Sequence, residues 1–204
     1  MLPVVFDLAR FDTILVGDGD AAAKRLCLLD EAGAPRLRVF SAAPSDALAM
    51  LAGARLLRRL PAEADLASSR LVFLSDRAAP YVAEIAALAR AAGALLHIED
   101  DPDHSDLHMS AVVRRGDLTI AVSTGGASPG LAVRLKRYLG ELFGPEWQAR
   151  TRELRAERRR WRGDGAAPDA LVSRTDEWIA QQNWLPQSGA LSRPRLESER
   201  PIRN

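Results

Sequence analysis

Three short stretches of this 204-residue chain hold residue types that can do chemistry. The first is Ile14-Leu15-Val16-Gly17-Asp18-Gly19-Asp20-Ala21-Ala22, an apolar run followed by G-x-G-x-x-A. In that pattern the first glycine permits a tight turn and the second lets the backbone approach a pyrophosphate. The small third residue lets a helix pack closely on the strand, with its N-terminus facing the phosphates. The second stretch, His97 to His108, reads His-Ile-Glu-Asp-Asp-Pro-Asp-His-Ser-Asp-Leu-His and contains all 3 histidines. A carboxylate there can take a proton from a carbon or a pyrrole nitrogen as a general base. Asp100 with His104 and His108 can receive a divalent ion such as Fe²⁺. The same residues also read as a solvated acidic loop. His104 and His108 would share a face only in a helix, and Pro102 argues against one at the start of the segment. The third stretch is Ser123-Thr124-Gly125-Gly126-Ala127-Ser128-Pro129, a second anion cradle, in which Ser123, Thr124, Gly125, Gly126 and Ser128 offer hydroxyls and N–H groups to a carboxylate or phosphate. Arg114, Arg115, Arg134, Lys136 and Arg137 lie nearby in sequence. They can hold a polyanion between them, though each alone also reads as a solvated helix face.

The elements that must position these residues follow from periodicity. Short apolar runs at Thr13–Val16, Leu37–Phe40, Arg55–Arg59, Leu71–Leu74, Leu95–Ile98 and Leu118–Val122 read as strands. Between them, Ala/Leu-rich helical patterns run over Asp20–Glu31, Ser45–Leu51 and Pro80–Ala92, and Ser128 with Pro129 caps a helix reaching about Phe143. Alternation of this kind predicts an α/β fold with a Rossmann-type parallel sheet, followed by a small helical C-terminal region. Gly17, Asp18, Gly19, Asp20 and Ala21 in the first turn are then candidate cofactor contacts. Ser41 after the second strand and Ser75 with Asp76 after the fourth join them. Two features differ from an ordinary NAD site. Asp18 sets a carboxylate beside the expected pyrophosphate, and Ser41 stands where an acid usually binds the ribose. No arginine follows that strand to receive the 2′-phosphate of NADP.

Composition bounds the rest. A hydrophobic fraction of 47% with 27% charge describes a folding chain, and a net charge of +1 gives no global case for nucleic acid. Seven arginines between Arg150 and Arg162 read as a charged helix exterior. No apolar run approaches the ~20 residues that span a bilayer, and the single cysteine, Cys27, fits a reducing cytoplasm and reads as a small buried hydrophobe. The expected divisions are 1–111 for the nucleotide-binding domain, 112–147 for a dimerisation segment, 148–185 for the helical region, where Trp178 and Trp184 are available for packing, and 186–204 for a loose tail.

Three pieces together resemble the amino-terminal module of siroheme synthases and stand-alone precorrin-2 dehydrogenases. They are Leu2 to Leu8 leading through Val16-Gly17-Asp18-Gly19-Asp20 to Ala23-Lys24-Arg25 and Glu31-Ala32-Gly33-Ala34; Ile98-Glu99-Asp100-Asp101-Pro102; and Ala121-Val122-Ser123-Thr124-Gly125-Gly126-Ala127-Ser128-Pro129-Gly130-Leu131-Ala132. The resemblance covers about residues 1–145. It implies a homodimer that binds NAD⁺ and oxidises precorrin-2, an eight-carboxylate tetrapyrrole, to sirohydrochlorin, with Fe²⁺ insertion in some members. It gives Asp100 the role of proton acceptor, and the segment from Ser123 to Leu142 part of the dimer contact. Departures from the pattern are Asp18 in place of a third glycine, Leu74-Ser75-Asp76-Arg77 in place of an Ala-Thr-Asp-like turn, and His97 and Val82 in place of asparagines. These leave a second expectation, a diverged chelatase or a tetrapyrrole- or metal-binding protein that works without NAD.

Overall fold

Leucine and β-branched runs that are apolar on both faces must be covered on both faces, and the chain does this with helices. In the computed structural model, which describes residues 2–185, β1 (Thr13–Val16), β2 (Leu37–Phe40), β3 (Leu56–Leu57), β4 (Leu71–Leu74) and β5 (Leu95–Ile98) form one parallel sheet in the order β3-β2-β1-β4-β5. Side chains alternate across it with period two. Leu15, Val39 and Phe73 face one layer with α1 (Asp20–Glu31) and α2 (Asp46–Ala52). Ile14, Val16, Val72, Leu74 and Leu96 face the other, with α3 (Glu63–Ala67) and α4 (Val82–Ala91). This sheet, the helices on it and the segment Ser123–Pro129 group as one unit of the chain, which begins at the amino terminus and runs to Ser110.

Among the described residues, the second unit comprises Ala111–Val122 and the chain from Gly130 to residue 185. Here β6 (Ala111–Arg115) and β7 (Leu118–Val122) form a two-stranded antiparallel sheet, followed by α5 (Pro129–Leu142), α6 (Trp147–Gly163) and α7 (Pro168–Gln181). Arg115 caps the end of α5, donating from Nε to the Phe143 carbonyl at 2.8 Å and from Nη2 to the Gly140 carbonyl at 2.9 Å. Trp178 and Trp184 pack edge to face with centroids 4.7 Å apart, and Arg150 lies over the Trp147 ring at 5.1 Å. The arginines of α6 are largely engaged: Arg155 pairs with Asp117 at 2.8 Å, Arg160 with Glu157 at 2.7 Å, and Arg158 donates to Thr175 at 2.6 Å.

Three expectations need correction. Leu118–Val122 does not join the parallel sheet, because Gly116, with φ +59°, closes a tight turn that pairs it with Ala111–Arg115. The strand expected over Arg55–Arg59 shrinks to two residues, since Gly53–Arg55 forms a 3₁₀ turn and Arg59 leaves the sheet edge to bond Asp65. Cys27 is exposed rather than buried, because the inward stripe of α1 is Ala22, Ala23, Arg25, Leu26 and Leu29. The tail expected from residue 186 lies outside the described residues.

Candidate functional site

In a sheet of this order the strands run outward in opposite senses from β1 and β4, and ligands bind beyond their carboxyl ends at that switch. Gly17 follows β1 and Ser75 follows β4, and the two touch. A Cβ built on Gly17 would lie 1.9 Å from Ser75 Oγ and 3.1 Å from the Ala22 side chain. Ser75 is held there by donating its hydroxyl proton to the Val16 carbonyl at 3.1 Å. Only glycine fits at this close approach of β1, β4 and α1. Beyond it Gly19 is the N-cap of α1, and no side chain caps the helix. A Cβ on Gly19 would meet nothing within 4 Å. The first-turn N–H groups, from Asp20 and Ala21 onward, are therefore available to an anion, and the residues present fit a dinucleotide pyrophosphate.

Asp18 does not confront that anion alone. Its Oδ1 accepts from the Ser41 hydroxyl at 2.5 Å and from the Ala43 N–H at 3.1 Å, and its carbonyl accepts from the Ser45 N–H at 2.7 Å. Asp76, on the β4–α4 connection, accepts from the Ala78 N–H at 3.0 Å and shapes that turn. Sequence reasoning missed Tyr81 on the same connection. Its hydroxyl is buried without a hydrogen-bond partner among the described residues. Burial, together with the Asp18 and Asp76 carboxylates, pushes it up to about 12, so it stays a protonated donor. A lone tyrosine ahead of a helix carries no sequence signal of this.

The acidic segment begins where β5 ends, and much of it serves the sheet. Asp106 accepts from the Leu96 N–H at 3.0 Å and Ser105 from the Ile98 N–H at 2.9 Å, so the loop covers the free edge of β5. Asp100 is exposed at the strand's carboxyl end. Its φ is +55°, and its carbonyl accepts from Arg77 Nη1 at 3.0 Å. Beneath it lies a set that the sequence did not announce. Arg25 is buried on α1; its Nε donates to Glu99 Oε2 at 3.1 Å, and its Nη2 contacts the same oxygen. His97 donates from Nδ1 to the Leu107 carbonyl at 3.1 Å, leaving Nε2 3.8 Å from Glu99 Oε2. His97 and Arg25 together hold the Glu99 carboxyl down at about 2, against burial, which pushes it up. At 3.8 Å the histidine is beyond hydrogen-bond reach, so the guanidinium carries most of this attraction. The signal lay in Arg25 itself, spaced with Ala22, Leu26 and Leu29 on one helical stripe.

The expected ion site of Asp100, His104 and His108 is not assembled. Among the described residues no group of three His, Cys, Asp or Glu could hold a metal ion. The segment is turn and loop rather than helix, so a four-residue spacing brings nothing together, and His104 Nδ1 instead meets Asp101 Oδ1 at 2.8 Å. In the third stretch, the Thr124 hydroxyl accepts from the Ser128 N–H at 3.1 Å and donates to the Ser128 carbonyl at 3.0 Å, closing the turn. Ser123 accepts from the Gly125 N–H at 3.2 Å, which leaves its own proton for a ligand. Gly125 and Gly126 take φ values of +64° and +87°, left-handed conformations that favour glycine.

A family described as "Putative NAD(P)-binding" matches residues 4–111, and one described as "Sirohaem biosynthesis protein central" matches residues 115–142. The siroheme synthase of Tolumonas auensis is 28% identical over 199 residues, covering 90% of this chain and 42% of that protein. Siroheme synthase 1 of Aeromonas salmonicida is 35% identical over 145 residues, covering 70% and 31%. The chain thus spans less than half the length of these curated relatives. The solved structure of SirC, precorrin-2 dehydrogenase, superposes with a TM-score of 0.72 at 21% identity, covering 92% of this chain and 93% of that one, and shares its fold. The chain belongs to the putative NAD(P)-binding family whose model matches residues 4–111, and the sirohaem biosynthesis central model matches part of the segment that follows.

Proposed function

We propose that the chain is an enzyme of siroheme synthesis that oxidises precorrin-2 to sirohydrochlorin with NAD⁺, with Fe²⁺ insertion as an associated step. The observation that carries this reading is the close approach of Gly17 to Ser75 beneath the uncapped N-terminus of α1, which leaves a phosphate cradle at the switch of the sheet. NAD⁺ supplies a hydride acceptor when bound. The oxidation removes one hydride and one proton from the substrate, and Asp100, exposed at the end of β5, takes the proton as general base. Arg77 anchors the Asp100 backbone, and Tyr81 offers its hydroxyl to the bound nucleotide. The Ser123 hydroxyl and the Gly126 N–H offer donors to substrate carboxylates, with Gly125 holding Ser123 in place. In metal insertion, Fe²⁺ is a substrate that displaces two pyrrole protons, and Asp100 is again the acceptor.

The functional unit is a homodimer working in the cytoplasm. Leu131, Leu135, Tyr138 and Leu142 repeat along one stripe of α5 and are all exposed, an apolar face suited to a second copy. Anaerobic incubation with precorrin-2, with and without NAD⁺ and Fe²⁺ and followed by absorbance, tests the activity. Sirohydrochlorin should form only with NAD⁺. No binding of NAD⁺ at millimolar concentration in a calorimeter would sink the dehydrogenase.

A further inference from the structure

The loop after β2 lacks the acid that a dinucleotide-binding fold ordinarily places there, yet a carboxylate occupies the spot. We propose that Asp18, reaching across from the turn after β1, is the acceptor for the adenosine-ribose hydroxyls and makes the site select NAD over NADP. This rests on the nucleotide-binding reading above. Asp18 is fixed to the β2–α2 loop at both ends: its Oδ1 accepts from Ser41 at 2.5 Å and from the Ala43 N–H at 3.1 Å, and its carbonyl accepts from the Ser45 N–H at 2.7 Å. Ser41 is fully buried, so the hydroxyl that aims the carboxylate cannot wander. A carboxylate has about four acceptor sites, and Oδ2 makes no hydrogen bond among the described residues. It can therefore accept from a ribose diol.

Charge decides the choice of cofactor. The run Ser41-Ala42-Ala43-Pro44-Ser45-Asp46 holds no lysine or arginine and adds a second acid. No cation pairs with Asp18 among the described residues. The Ser45 hydroxyl accepts from the Leu48 N–H as the N-cap of α2, at 3.2 Å, and brings no positive charge to a phosphate. A 2′-phosphate would bring about two negative charges up against an acidic side chain with no cation beside it. The acid lost from the end of β2 is thus returned from the end of β1, in space though not in sequence.

Calorimetric titration of the full chain with NAD⁺, NADP⁺ and NAD⁺ lacking the adenosine 2′-hydroxyl tests this in the wild type and in Asp18→Asn. Asparagine keeps an oxygen for Ser41 and Ala43, so the variant should melt within a few degrees of the wild type. The wild type should favour NAD⁺ over NADP⁺ by at least about 30-fold and lose about tenfold on removal of the 2′-hydroxyl, the size of a charge-assisted hydrogen bond. In Asp18→Asn both ratios should fall below about threefold. Should the variant fail to fold, the two wild-type ratios still decide, and equal binding of all three ligands overturns the proposal. Unchanged ratios in a folded Asp18→Asn overturn the assignment to Asp18 while leaving nucleotide binding intact. Binding of neither cofactor by the wild type would remove the nucleotide-binding reading and this inference with it.

Discussion

Replacing Glu99 with glutamine removes the one carboxylate that answers a buried guanidinium. Arg25 is 6% exposed, two of its nitrogens end on Glu99 Oε2, and its Nη1 is buried with no partner among the described residues. Breaking a fully buried ion pair from one side costs about 3–5 kcal/mol. Here the Glu99 side chain is 32% exposed, and the glutamine oxygen still accepts from Arg25, so the cost should be smaller. The carboxyl stands at about 2 against the usual 4.5. At about 1.36 kcal/mol per pH unit that difference is ~3 kcal/mol, and solvent screening reduces it to about 1.5–2 kcal/mol. Because the folded value is depressed, this stability is complete well above pH 4.5 and is lost as pH falls toward 2. Urea denaturation of wild type and Glu99→Gln at pH 7 and pH 3.5, followed by circular dichroism, reads it directly. The variant should be weaker by about 2 kcal/mol at pH 7, and the gap should shrink by close to half at pH 3.5. An equal gap at both pH values would refute the reasoning, since the penalty would then owe nothing to ionised Glu99.

Other perturbations separate cradle, donor and base. Gly17→Ala forces a Cβ against the buried Ser75 hydroxyl and should cost about 1–3 kcal/mol in thermal melts, with partial recovery when Ser75→Gly is added; independent, additive effects would show that the two do not press on each other. Tyr81→Phe deletes a buried hydroxyl that has no partner, so the free protein should be unchanged or up to ~1 kcal/mol more stable while NAD⁺ binds several-fold more weakly. A loss of stability with unaltered affinity would make Tyr81 structural. Asp100→Gly should relieve the left-handed backbone by about 0.5–1 kcal/mol yet lower precorrin-2 turnover by about 100-fold or more. Retained turnover would remove Asp100 from the chemistry.

Much of the fold was legible because its signals are local. Each of the long parallel strands announces itself as a four-residue run with at least three apolar residues, flanked by helical periodicity, and Gly17 to Ala22 marks where the first strand must turn into a helix. The hairpin Ala111–Arg115 with Leu118–Val122 could have been found too, since Gly116-Asp117 is a two-residue turn of the kind that joins antiparallel strands. The first of those strands, rich in arginine, lacks the continuous apolar character of the other strands. The site was less legible because its determinants are pairings across sequence. Arg25 and Glu99 are 74 positions apart, and neither residue type predicts burial until the other is placed beside it. Likewise Asp18 looks repulsive in a phosphate turn until Ser41, 23 positions on, gives its carboxylate a partner.

These pairings bear on how the chain tolerates departures from its family. Asp18 and His97 replace residues that the resemblance would place there, and, like Glu99, each lies toward the carboxyl end of its own strand, the side on which a sheet of this kind binds ligands. An added carboxylate near a phosphate cradle weakens it unless its charge is directed elsewhere. The chain provides local donors in each case: the Ser41 hydroxyl and Ala43 N–H for Asp18, and the Arg25 guanidinium for Glu99. Asp20, at the first position of α1, stands where negative charge already favours the helix dipole, and its side chain caps no N–H of that helix. The phosphate-facing N–H groups therefore keep their acceptor vacancy despite two acids within the turn. This predicts a cofactor affinity that is weakened but not abolished, with a steeper than usual dependence on ionic strength. NAD⁺ titrated at about 20 mM and 300 mM salt should bind more tightly at the higher concentration, where the repulsion is screened. Tighter binding at low salt would mean that the net field at the cradle is attractive and that Asp18 and Asp20 do not oppose the pyrophosphate.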